Sequence, residues 1–446
     1  MTETPWVPFA LPSNSAWIDW LGSTASFPFV SSPTPNTPNS VGYNERVMPQ
    51  SATPIYMDNH STTRVDPRVV EAMLPYLTES YGNSGSVNHS FGWDAKDAVD
   101  GARATVADRL GVHEKEIVFT SGATESNNLA IFGVTDSPRR RGDHLLSVTT
   151  EHKAVLDPLA RLKRRGFEVT LLDVAQGGNA WAGVVDPDAV DAAIRDDTCL
   201  VSVMLANNEI GTIQPIAEIG RICKERGVLL HCDATQAVGK FPVDVEQLQV
   251  DLMSLSAHKM YGPKGIGALY VRRRNPRVRL EPQVVGGGQE SGRRSGTLAV
   301  PSIVALAKSV ELACDEMAEE SRRVRELRDR LFAGLTEAIS DVELNGPELT
   351  DADLRLAGNL NLSFAGVDGE ALLMSVQDVA LSSGSACTSA DPEPSHVLQA
   401  LGLSDDMTRC SIRFGLGRFN TAEEVERVIE RLAEAVQRLR AMSGTG

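Results

Sequence analysis

The chain has 446 residues, 42% of them apolar and 23% charged, the composition of a large soluble globular protein. Its formal charge of −16 (59 acidic against 43 basic residues) excludes nucleic acid as a general partner, because phosphate binding needs a basic footprint. No apolar run approaches the ~20 residues of a membrane span, and the six cysteines (199, 223, 232, 314, 387 and 410) form no Cys-x-x-Cys pair. A reducing, cytoplasmic setting is the expectation.

In chain order, residues 1–52 are rich in Pro, Ser, Asn and Thr and hold one basic residue, Arg46. They fit neither a secretory signal nor an Arg-rich transit peptide and read as a mostly disordered extension, with Met48 as an alternative start. Apolar runs of strand length then alternate with helical stretches: Glu116-Ile-Val-Phe-Thr, His144-Leu-Leu-Ser-Val, Glu168-Val-Thr-Leu-Leu, Leu200-Val-Ser-Val-Met-Leu, Val228-Leu-Leu-His-Cys and Leu252-Met-Ser-Leu. Such runs predict a mostly parallel sheet covered on both faces, an α/β domain over 53–305. A charged helix through Glu311 to Leu335 opens a smaller α+β domain, 306–446, on which residues 53–65 are able to pack. Its expected strands are Asn359-Leu-Asn-Leu-Ser-Phe, Val379-Ala-Leu-Ser and Ser411-Ile-Arg-Phe. A closing helix is capped by the Thr421/Glu424 capping box, with Val425, Val428, Ile429, Leu432, Val436 and Leu439 as its apolar stripe.

Two strand ends carry the chemistry. Val228-Leu-Leu-His-Cys-Asp-Ala-Thr-Gln ends a buried strand in Asp233, and Leu252-Met-Ser-Leu runs into Ser256-Ala-His-Lys-Met-Tyr-Gly. A lysine is costly to bury, and Lys259 stands directly after a core strand in a Ser/His/Gly loop, where an amine serves as a covalent nucleophile. An Asp at one strand end and a Lys after the next is the pairing that holds pyridoxal phosphate (PLP): the carboxylate partners the ring nitrogen and the amine attaches the carbonyl carbon. Ser121-Gly-Ala-Thr-Glu-Ser follows a strand and opens a helix predicted over Asn127 to Phe132. It reads either as a phosphate cradle or as an ordinary turn with Thr124 as cap.

With Thr150-Glu-His-Lys-Ala-Val, Asn207-Asn-Glu-Ile-Gly, Arg294-Ser-Gly-Thr, Ser382-Ser-Gly-Ser-Ala-Cys-Thr-Ser and Arg413-Phe-Gly-Leu-Gly-Arg, these motifs stand in one order from about Ile55 to the C-terminus. The chain resembles the cysteine desulfurases of the class V aminotransferase-like PLP enzymes (fold type I), in the branch serving iron–sulfur cluster assembly. The resemblance implies that Ala123, Thr124, Ser256 and His258 hold the cofactor phosphate, joined by Thr297 from the partner subunit of a homodimer. It implies that Gln236 and Asn208 reach the ring oxygen, that His152 stacks on the ring and moves protons, and that Arg413, with Asn83 and Asn208, binds the substrate carboxylate.

PLP binding by itself suits transamination, decarboxylation or β-elimination. Cys387 narrows the choice. It stands in a Ser/Gly/Pro-rich stretch without apolar periodicity, which predicts an exposed loop rather than packing. The resemblance makes Cys387 the nucleophile that takes sulfur from L-cysteine as a persulfide, releases alanine, and passes the sulfur to an iron–sulfur scaffold or other acceptor protein. It also leaves Cys387 as a transient iron–sulfur ligand, with no other metal expected. No Lys, Arg or His lies between Val379 and Pro394 to lower its pKa. At an ordinary pKa near ~8.5 only about 3% would be thiolate at pH 7. A different enzyme of this fold, or a silent partner in cluster assembly, is the rival reading; one cysteine cannot hold a cluster alone.

Overall fold

The computed structural model describes residues 54–383 and 394–443. The expected extension, Met48 and Cys387 lie outside the described residues.

The strands, in chain order, are β1 (Ile55–Tyr56), β2 (Ile117–Thr120), β3 (His144–Val148), β4 (Glu168–Leu172), β5 (Thr198–Ser202), β6 (Leu229–Asp233), β7 (Leu252–Ser256), β8 (Gly267–Val271), β9 (Val342–Leu344), β10 (Asn359–Phe364), β11 (Val379–Ala380), β12 (Ser382–Ser383) and β13 (Ser411–Gly415). Seven of them form a sheet in the order β2-β8-β7-β6-β5-β3-β4. Strands β3 to β7 pair parallel, and β8 runs antiparallel to both β2 and β7. Every residue of β3, β5 and β7 is buried, as expected where helices cover both faces. Successive residues feed opposite cores: Phe119, Leu146 and Val201 enter one, and Val118, Leu145 and Leu200 the other. β4, at the edge, is only partly covered.

A second sheet, β12-β13-β10-β9, is antiparallel throughout. Its core joins Leu360, Leu362, Phe364, Ile412 and Phe414 to Val425, Val428, Leu432 and Val436 of the helix Ala422–Ser443. That helix begins with the expected reciprocal cap: Glu424 N donates to Thr421 Oγ1 at 3.2 Å, and Thr421 N donates to the Glu424 carboxylate at 3.2 Å. β1 pairs parallel with β11, Ile55 opposite Val379, so the start of the described chain lies beside its C-terminal third.

The helix expected from Glu311 to Leu335 is longer, a 39-residue helix Val300–Ala338 that runs across the 305/306 boundary. Pro301 sits in its first turn, where a missing amide costs nothing. Val300, Ile303, Leu306 and Val310 enter the core of the seven-stranded sheet, while Val324, Leu327, Leu331 and Leu335 enter that of the four-stranded one. A polar knot fastens its middle. The Arg418 guanidinium lies 2.7 Å from Asp66 and 2.8 Å from Glu320 and stacks 4.3 Å from the Tyr261 ring centroid; the Tyr261 hydroxyl donates to Glu320.

Candidate active site

The carboxyl ends of the parallel strands open into a cavity of 760 Å³, where ligands bind in open α/β sheets. Lys259, Asp233, His152, Asn208, Gln236, Ser256, His258, Ala123, Thr124 and Arg413 all line it.

One wall is the turn between β2 and the helix Ala123–Thr135. Gly122 is its N-cap at φ 151°, a backbone conformation that glycine tolerates, and no side chain among the described residues caps the first turn. The opening amides and the positive helix end therefore face the cavity as an anion site. The helix starts four residues earlier than the sequence suggested, so Thr124 lies inside its first turn and is not the cap. Ser256, the last residue of β7, faces the same turn, its Oγ 3.8 Å from where a Cβ on Gly122 would stand.

The floor is the end of β6. Asp233 is 6% exposed; Asn127 Nδ2 donates to its Oδ2 at 2.7 Å and Thr235 N to its Oδ1 at 3.0 Å. Both carboxylate oxygens are thereby aimed by fixed donors. Asn127 Oδ1 and Thr235 Oγ1 are buried without a partner among the described residues. Gln236 Nε2 donates to His60 O at 2.9 Å, and Lys240 Nζ donates to Gln236 Oε1. Lys259 leaves β7 on a single turn, Ala257–Lys259, and its Nζ donates to the carbonyls of His60 and Ser61. The adjacent His258 is pushed down to about 4, chiefly by burial and then by Lys259, and is uncharged at neutral pH. Its Nδ1 lies 3.2 Å from Thr62 Oγ1.

The opposite wall follows β3. His152 caps the helix Lys153–Arg164, its Nδ1 accepting from Ala154 N at 3.0 Å, so the neutral ring carries its proton on Nε2. Burial holds its pKa below the ordinary value, partly offset by Asp233. Glu151 is fully buried; one oxygen accepts from Met204 N and Oε2 has no partner among the described residues. Burial, and then Asp233, lifts its carboxyl well above the usual range.

Arg413, on β13, is 6% exposed. It donates to Asp58 Oδ1 at 2.8 Å, Ser61 Oγ at 2.7 Å, Ser382 Oγ at 3.1 Å and Asn208 O at 3.1 Å. Its Nε is buried without a partner among the described residues, a donor left for an anion.

Two expected residues are not brought there within this chain. Asn83 is exposed and opens onto a separate 310 Å³ cleft with Arg103 and Glu290. Thr297 is exposed and lines neither cavity. The cleft residue Glu290 adopts φ 50°, held by Arg103 at 2.6 Å and by Phe119 N at 2.8 Å. Conversely, sequence reasoning passed over His60, Asn127, Glu151 and His396, all of which line the main cavity. Glu151 stands inside a motif named from the sequence, Asn127 opens the helix expected after Ser121-Gly-Ala-Thr-Glu-Ser, and His396 follows a Pro394-Ser395 helix start; those were the signals.

The Aminotransferase class-V family matches residues 55–428. The chain is 57% identical over 390 residues to the cysteine desulfurase IscS of Anaeromyxobacter dehalogenans, covering 87% of this chain and 94% of the relative. It is 52% identical to the cysteine desulfurase of Homo sapiens, covering 87% of this chain and 83% of the relative. A solved NifS-like protein superposes with TM-score 0.78 at 37% identity, covering 86% of this chain and 99% of that one. Another, from Rickettsia africae ESF-5, gives 0.75 at 30% identity with the same shares. A site at the strand ends, held by Asp233, Lys259 and Arg413, thus sits on a frame shared along nearly the whole of these relatives, and the chain belongs to the class-V aminotransferase family, among the cysteine desulfurases.

Proposed function

We propose that the protein is a PLP-dependent cysteine desulfurase that converts L-cysteine to L-alanine and retains the sulfur as a persulfide on Cys387. The observation that carries the reading is the convergence of an uncapped helix start, an oriented buried carboxylate and a lysine amine in one cavity. These fit the cofactor's phosphate, ring nitrogen and carbonyl carbon, respectively. Asn127 Oδ1 and Thr235 Oγ1, without a partner among the described residues, are polar groups at the same floor that a ligand would satisfy. Bound there, PLP would supply an electron-accepting ring that labilises bonds at the Cα of an attached amino acid.

The protein's own groups set the rest. Ala123, Thr124, Ser256 and His258 would bind the phosphate, and Asp233 would keep the ring nitrogen protonated. Gln236 and Asn208 would contact the ring oxygen. Lys259 would hold the cofactor covalently. Arg413 takes the substrate carboxylate, its buried Nε adding a donor. His152 holds a proton at Nε2 on the cavity side. Cys387 attacks the substrate sulfur; its S–S bond forms as the substrate C–S bond breaks, and the electron pair and a proton remain with what becomes alanine. The sulfur then passes to an acceptor protein of the iron–sulfur or other sulfur-cofactor class, in the cytoplasm. Thr297, outside its own chain's cavity, serves the site of a partner subunit, and Asn83 contributes to a substrate site only in such a dimer. On this reading the chain is a large cofactor domain, 53–305, and a small domain, 306–446, that carries Cys387.

Incubation with PLP and L-cysteine, followed by mass analysis of the peptide containing residue 387, should show one added sulfur and stoichiometric alanine. Alanine release with no mass change on that peptide would reject Cys387 as the carrier; absence of alanine would reject the reaction.

A further inference from the structure

The cavity contains an imidazole that the desulfurase reaction leaves unused. His396 begins the helix His396–Ala400, which is anchored on both sides. Ser395 caps it, accepting from Val397 N and Leu398 N at 3.2 Å each and donating to the Glu209 carboxylate. Val397 and Leu398 are buried in the main core. The ring is thus held on a fixed element.

Its hydrogen bonding fixes the tautomer. His396 Nε2 lies 2.9 Å from the backbone carbonyl of Glu151. A carbonyl only accepts, so Nε2 carries the proton and a neutral His396 leaves Nδ1 as a bare acceptor. No described residue bonds Nδ1, and the residue lines the cavity that holds Lys259, Asp233 and Arg413. The neighbouring His152 has the opposite arrangement, Nδ1 bonded and Nε2 protonated. The pair therefore offers one donor and one acceptor to the same space. The titratable groups that share the cavity with this pair include Glu151, Glu209, Asp233 and Lys259.

L-Cysteine has three polar groups: carboxylate, amine and thiol. On the desulfurase reading, its carboxylate belongs to Arg413 and its amine to the Lys259 position. We propose that His396 Nδ1 accepts a hydrogen bond from the third group, the thiol of L-cysteine, and so helps select a thiol-bearing amino acid over one with a plain methyl side chain. A fixed acceptor discriminates in this way because it goes unpaired when the thiol is missing.

The test is an absorbance titration of the PLP-loaded protein in a Cys387→Ser background, which prevents turnover, using L-cysteine and L-alanine as separate ligands. His396→Phe removes the acceptor while keeping a ring; His396→Gln keeps a donor able to reach Glu151 O. His396→Phe should weaken L-cysteine binding about five- to tenfold and leave L-alanine binding within about twofold, and His396→Gln, whose Oε1 is still an acceptor, should recover part of that loss. Equal loss for both ligands would show that His396 only shapes the wall, and no loss for either would show that it does not meet the thiol; each overturns the inference. A protein with His396 intact that responds to neither amino acid would overturn the functional reading, and the inference with it.

Discussion

Replacing Gly267 with alanine tests the proposed cofactor cradle at a residue that does not line the cavity. Gly267 opens β8, paired with Thr120 on one side and Ser256 on the other. A Cβ there would stand 2.5 Å from Leu255 O and 2.7 and 2.9 Å from Gly122 Cα and C. All three are backbone atoms, so no side chain can swing away. Restoring an ordinary 3.4 Å contact moves Gly122 by about 0.7 Å, carrying the first amides of the helix Ala123–Thr135 with it. Overpacking of this kind costs about 1–3 kcal/mol of stability, a fall of a few degrees in Tm for a chain of this size. Losing one well-placed bond to a phosphate costs about 1.5–3 kcal/mol, so the PLP Kd should rise roughly tenfold to a hundredfold. Both are read on PLP-stripped protein, by absorbance titration and by thermal unfolding. Gly101→Ala is the control: its Cβ meets nothing within 4 Å in the helix Ser90–Arg109, and it should stabilise slightly. If Gly267→Ala lowers Tm but binds PLP as tightly as the parent, the phosphate does not sit at this helix start.

Lys259→Ala should abolish turnover and the borohydride-reducible attachment of PLP, and normal turnover would refute the role given to the amine. Cys387→Ser should still bind PLP and change its absorbance with L-cysteine, yet yield almost no sulfide with dithiothreitol; retention of most of the rate would show another nucleophile. Hydrogen bonds from Arg68, then Arg418, hold the Asp66 carboxyl below its usual range, so its contribution to stability is present above about pH 4 and lost as pH falls through the lowered value. Asp66→Asn should accordingly lower Tm at pH 7 and make the decline between pH 5 and 2 shallower, whereas parallel Tm curves for the two proteins would contradict this. A chain beginning at Met48 should keep the full rate and melt within a few degrees of the whole protein; a large loss of stability would mean that the first 47 residues dock.

Much of the site was legible because its residues break a rule locally. Asp233 and Lys259 are charged residues at the ends of buried apolar strands, and nothing about solubility accounts for them there. The acceptor role of His396 was not legible, because it depends on the Glu151 carbonyl, 245 residues away in sequence. Strand β8 also escaped notice: Gly267-Ala-Leu-Tyr-Val is a short apolar run after a Gly-rich loop, and only its register against β2 and β7 shows it to be a central strand. The first turns of the helix Val300–Ala338 were hidden for the opposite reason. They are apolar on much of their circumference because they enter a core, so the charged pattern that marks a surface helix begins only later.

That helix limits how the protein can breathe. At about 1.5 Å per residue its 39 residues form a strut nearly 60 Å long, with no proline beyond the first turn. One end is cemented into the seven-stranded sheet, the other into the four-stranded one, and the Arg418 knot clamps the middle. A beam gripped in this way flexes gradually and offers no single pivot. Entry of an amino acid and exit of product should therefore proceed through rearrangement of loops at the cavity rim, while the distance from Lys259 to Arg413 holds steady through the cycle.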